Sequence, residues 1–121
     1  MSLERRRNQR YDLIGTIRME IGREIHTFPL TDLSRTGVGI AIDVRLLGPK
    51  PHGQVWHCHI ESPDLAAPIE AFVSVMRIRH FQGKDLVGLR FESIDDEHLR
   101  IVRAYETLAR TRARQGASGT H

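Results

Sequence analysis

Cysteine is nearly missing from this chain. Cys58 stands alone, so no intrachain disulfide can form, and a reducing compartment is expected. Lysine is almost as scarce. Sixteen of the eighteen basic residues are arginine, which favours fork-shaped recognition of planar anions over diffuse positive charge. Aromatic residues make up only 6%, too few for the row of stacking platforms that single-strand nucleic-acid binders use. No apolar run approaches the ~20 residues that cross a bilayer, and no apolar stretch of the signal-peptide kind follows the start. The expectation is a cytoplasmic protein that does not insert into membranes.

What remains is an ordinary globular composition. With 121 residues, 40% apolar and 27% charged, the chain suits a single domain with one core. Apolar side chains alternate over residues 13–21, and Gly22-Arg23 predicts a hairpin turn into a returning strand over 24–30. Pro29 predicts an edge or a break near the end of that strand. Further strands are predicted over 38–42, 54–60, 69–79 and 85–91, with Gly39 leaving room for another backbone or a ligand. Six short strands at this spacing imply a mainly β, six-stranded antiparallel barrel.

One helix follows, predicted over 95–113. Asp95 is placed as its N-cap, and Leu99, Val102, Tyr105 or Glu106, and Ala109 form the face toward the barrel. The chain thus divides into an arginine-rich arm over 1–12, expected to be flexible, the barrel and helix over 13–113, and a tail over 114–121 expected to be disordered.

Two segments carry chemistry. Glu4-Arg5-Arg6-Arg7-Asn8-Gln9-Arg10 offers several guanidinium forks, and Asp32-Leu33-Ser34-Arg35-Thr36-Gly37 offers a carboxylate, a hydroxyl and a turn. A guanidinium can grip phosphate oxygens or the O6/N7 edge of guanine. A carboxylate can accept from guanine N1–H and N2–H, so the pair suits a small anion with purine edges. His57, Cys58 and His59 invite a metal reading, but on a strand Cys58 points away from its neighbours. Neither Ser34 nor Cys58 sits in a nucleophile pattern, so an enzyme is not expected.

Arg6-x-x-x-Arg10 followed by Asp32-x-Ser34-x-x-Gly37 resembles the two signature motifs of PilZ domains, bacterial receptors for cyclic di-GMP. Val87-Gly88-Leu89-Arg90-Phe91 and the helix after it resemble that family's closing strand and C-terminal helix. The resemblance spans roughly residues 4–112 and implies a PilZ-type barrel. It implies that Arg6 and Arg10 hold phosphate and the Hoogsteen edge, Asp32 a guanine edge, and the Ser34 hydroxyl a phosphate. Gly37 would give the turn its backbone freedom. Arg5 resembles the extra arginine of members that bind a stacked ligand pair. The ligand would be cyclic di-GMP, with no other cofactor and no metal.

The implied output is a change of arm conformation that signals to an unidentified downstream protein, in motility, exopolysaccharide, biofilm or virulence control. Two alternatives stay open. One is a PilZ-like adaptor that works by protein contact without nucleotide. The other is a small β-barrel nucleic-acid binder, against which the shortage of aromatics argues.

Overall fold

Ile17 and Met19 are fully buried, while Thr16 and Arg18, on either side of Ile17, are exposed. That alternation is the signature of a strand with one wet face, and it repeats around the molecule. A computed structural model describes residues 11–118 of the chain. Its strands are β1 (Tyr11–Asp12), β2 (Thr16–Ile21), β3 (Glu24–Ser34), β4 (Gly37–Ala41), β5 (Val55–Glu61), β6 (Ile69–Phe81) and β7 (Lys84–Ser93). A short 3-10 turn, Val44–Leu47, follows β4, and the helix α1 (Asp96–Ser118) closes the chain. Arg5, Arg6 and Arg10 lie outside the described residues.

The antiparallel order β3-β2-β5-β6-β7-β4 returns to β3, so six strands close on themselves. The two-residue β1 is an addition, paired to β3 through Tyr11–Leu33 and Asp12–Asp32. The six-stranded barrel with a C-terminal helix is therefore as the sequence implies. Closure leaves the ladder without an open edge along most of its length. Inside lie Ile17, Met19, Leu33, Val38, Ile40, Ile60, Ile69, Val73 and Leu89, all without exposed surface. Cys58 joins them, and burial pushes its thiol up to about 12, which makes it unreactive.

The strand ends differ from the expected ones in instructive places. β3 does not break at Pro29 but runs on to Ser34. Leu30 donates its N–H to the Gly15 carbonyl, so the neighbouring Thr16–Pro29 pair is a non-hydrogen-bonded one. The absent N–H of Pro29 therefore faces the β4 side, where the ladder begins only at Leu30. The Asp32–Gly37 turn shrinks accordingly. Asp32 and Ser34 belong to β3, Gly37 opens β4, and only Arg35 and Thr36 form the link.

Helix α1 begins as its sequence demands. Asp95 accepts the His98 N–H at 2.9 Å, an N-cap bond that holds the carboxyl below its usual range. Val102, Tyr105 and Glu106 are buried against the barrel, and the Tyr105 hydroxyl donates to the Asp12 carbonyl at 2.7 Å. The helix passes the expected stop at Ala113 and continues to Ser118, so residues 114–118 are helical rather than disordered. Ala109, Arg110, Arg112, Ala113 and Arg114 are strong helix formers, and no breaker intervenes before Gly116. Among the described residues no helix is long and apolar enough to cross a membrane.

Candidate functional site

The outer wall of β3, β4, β7 and β6 carries two aligned rows. In the first, Asp32 faces Gly39, Gly39 faces Gly88, and Gly88 faces Arg77. In the second, Ser34 faces Gly37, Gly37 faces Arg90, and Arg90 faces Ser74. Successive strands lie ~4.8 Å apart, so the backbones at Asp32 and Arg77 stand about 14 Å from each other across the two floor glycines. The result is a shallow depression of about 150 Å³ with Asp12, Thr31 and Asp32 on one wall and Arg77 and Arg79 on the other.

Local chain geometry explains each wall. A register shift between Leu30 and Asp32 makes Thr31 the extra residue of a bulge, which turns it toward the same side as Asp32. The Thr31 hydroxyl donates to the Asp32 carboxylate at 3.2 Å. Gly39 is what makes space for both: a Cβ there would stand 2.5 Å from Thr31 Oγ1 and 2.7 Å from Asp32 Oδ2. A second shift between Val75 and Arg77 on β6 re-aims Arg77 over Gly88. Beyond it the β6–β7 hairpin turns at Gln82-Gly83, both with positive φ (51° and 77°), as a tight two-residue loop requires.

The cations differ in their state. Arg90 donates from Nη2 to Glu92 at 2.8 Å, and Ser74 also donates to that carboxylate, so Arg90 is committed. The Ser74 hydroxyl and the Arg90 guanidinium together hold the Glu92 carboxyl below its ordinary value. Arg77 and Arg79 are exposed, and no carboxylate among the described residues forms an ion pair with either. An anion lying on the glycine floor would meet two guanidiniums with unspent donors.

Ser34 departs from its expected position. It is 0% exposed, and its Oγ shares a hydrogen bond with Thr36 Oγ1 at 3.0 Å and accepts the Thr36 N–H at 3.3 Å. In this arrangement the hydroxyl braces the link between β3 and β4. Gly37 also does something other than expected. Its φ is not left-handed; instead, a Cβ would stand 2.0 Å from the Leu89 carbonyl oxygen, so close approach of β7 demands glycine. The helix adds a clamp, because buried Glu106 accepts the Arg35 N–H at 3.1 Å.

The structure thus brings Asp32, Gly37 and the buried Ser34 together on one wall. Sequence reasoning missed Arg77, Arg79 and Asp12, which reach the depression only through strand register and the two bulges. The one available signal was Gly39 and Gly88, glycines inside strands where a side chain would normally stand. His57 and His59 point outward, with His57 Nε2 3.1 Å from Glu70, while Cys58 points inward. No group of three His, Cys, Asp or Glu side chains among the described residues is arranged to hold a metal.

A family model described as the PilZ domain matches residues 4–107. The chain belongs to the PilZ domain family. Comparison with curated proteins found no match. Among solved structures, the chain resembles the PilZ domain of YcgR from Escherichia coli with c-di-GMP, at 15% identity and a TM-score of 0.72, over 97% of this chain and 100% of that one. It also resembles the MrkH–c-di-GMP complex of Klebsiella pneumoniae, at 14% identity and a TM-score of 0.77, over 94% and 56%. MotI, the Bacillus subtilis inhibitor of motility, is similar at 16% identity and a TM-score of 0.72, over 98% and 55%. The chain spans about half the length of MotI and MrkH. At these identities the likeness concerns the PilZ fold: a closed barrel with one C-terminal helix.

Proposed function

We propose that this PilZ domain is a cyclic di-GMP receptor, not an enzyme, and that the nucleotide lies on the glycine floor between Asp32 and the Arg77–Arg79 wall. The observation that carries the reading is that floor, built on Gly39 and Gly88 and rimmed by two guanidiniums that no described carboxylate pairs, with the Asp32 carboxylate on the facing wall. Asp32 accepts from a guanine N1–H and N2–H, while Arg77 and Arg79 meet phosphate. Arg6 and Arg10 supply further forks to phosphate and guanine from the N-terminal segment, and Ser34 and Gly37 fix the wall on which Asp32 stands. Arg5, with the barrel arginines, supplies charge for a second, stacked nucleotide. Charge-assisted contacts of ~1.5–3 kcal/mol each reach micromolar affinity after ordering costs.

Ligand draws residues 4–10 over the floor, and the altered surface signals to a protein partner, within a cytoplasmic pathway of motility, exopolysaccharide, biofilm or virulence control. The adaptor reading, in which protein contact alone suffices, draws support from one observation, the complete burial of the Ser34 hydroxyl. Calorimetry separates the two. Wild type is expected to bind cyclic di-GMP at micromolar concentration, with Arg10→Ala and Asp32→Ala weakened about tenfold or more, the loss of one charge-assisted contact. No heat at high micromolar nucleotide sinks the receptor reading and leaves the adaptor.

A further inference from the structure

The solvent side of α1 carries a second cationic surface that the nucleotide site does not use. Arg100, Arg103, Arg110 and Arg114 are all exposed. At ~100° per residue they fall within an arc of about 80°, opposite the side that buries Val102 and Tyr105. From Arg100 to Arg114 the stripe is about 21 Å long, at 1.5 Å per residue. No carboxylate among the described residues forms an ion pair with any of the four; Asp96, one turn before Arg100, is the single acid on the same arc. Arg112 shows the contrast: it points elsewhere and lies 3.6 Å from Asp64.

We infer that this stripe is a binding surface for the phosphate backbone of duplex nucleic acid. The match is one of charge and shape. A duplex carries one negative charge per ~1.7 Å of axis, and a straight rod of guanidiniums can follow one of its backbones. Forks that bind phosphate bidentately suit that partner better than lysines would. The arc holds no large apolar side chain, Val102 and Tyr105 are spent on the barrel, and half-exposed Leu108 lies off the arc, so the stripe offers no apolar face to a bilayer. The shortage of aromatics weighs against single-strand platforms only, and backbone binding needs none. Such contacts position a protein without reading sequence, so the binding is sequence-tolerant.

The test is fluorescence anisotropy of the full chain with a short mixed-sequence DNA duplex across a salt series. Four phosphate contacts give a log–log salt slope of about −3.6. Arg103→Glu/Arg110→Glu, two surface changes, is expected to weaken binding at least about tenfold and flatten the slope by about two units. Its cyclic di-GMP heat and its circular dichroism stay as in wild type, which separates this surface from the nucleotide site. An unchanged affinity and slope in that variant, with binding lost instead in Arg5→Ala/Arg6→Ala/Arg10→Ala, overturns the inference. So does tighter binding to phosphatidylglycerol vesicles than to the duplex, abolished by the same helix variant.

Discussion

Gly37 and Gly39 sit two residues apart on β4, yet their side-chain positions meet opposite fates. At Gly37 a methyl group would strike the Leu89 backbone carbonyl, which cannot swing aside. At Gly39 it would meet the ends of Thr31 and Asp32, which can. Gly37→Ala is therefore expected to destabilise the barrel by ~2 kcal/mol or more in urea unfolding. Gly39→Ala should cost much less stability but displace the Asp32 carboxylate, lowering cyclic di-GMP affinity in calorimetry. Equal stability losses for the two would contradict the geometry. The sequence marked both glycines, but only register reveals which one guards the ladder and which one guards the carboxylate.

At the scale of elements, the helix was the easiest part to read and its start is the most testable. The Asp95 cap, the buried Val102 and Tyr105, and the alternation in β2 all follow from local pattern, so the sequence displays them. The bulges at Thr31 and Met76 do not, because each is set by a partner strand far along the chain. That is why Arg77 and Arg79 were invisible as site residues while Asp32 was not. The cap also sets a pH dependence. The Asp95 carboxyl is held below its ordinary value, chiefly by the His98 N–H, so its stabilisation is complete above the unfolded carboxylate range. It is lost as pH falls through the depressed value. Thermal melts should show wild type losing stability below about pH 4, where free carboxylates protonate. Asp95→Asn, still a capable cap, should show a smaller loss over the same range; an identical decline would remove Asp95 as a source.

Across the whole molecule, arginine gathers in three places: the N-terminal segment, the β6 wall and the helix stripe. The first was legible as a run of letters, whereas the second exists only because the strands close and the third only because a helix aligns arginines spaced three, seven and four apart. Its contribution can be measured through the stability of the entire domain. A ligand that binds only the folded state at a hundred times its dissociation constant adds ~2.7 kcal/mol. Cyclic di-GMP should therefore raise the melting temperature of wild type clearly and that of Arg77→Glu/Arg79→Glu hardly at all. An equal rise in both would move the phosphates off the β6 wall.

Near Asp32, β3 is laced to β1 on one flank and to β4 on the other. A strand tethered along both margins cannot sway toward an incoming molecule, so the backbone beneath the acidic rim holds its place. With cyclic di-GMP as the proposed guest, selection among cyclic dinucleotides would follow from how far apart each holds its own base and phosphate, since the strand beneath Asp32 keeps its place.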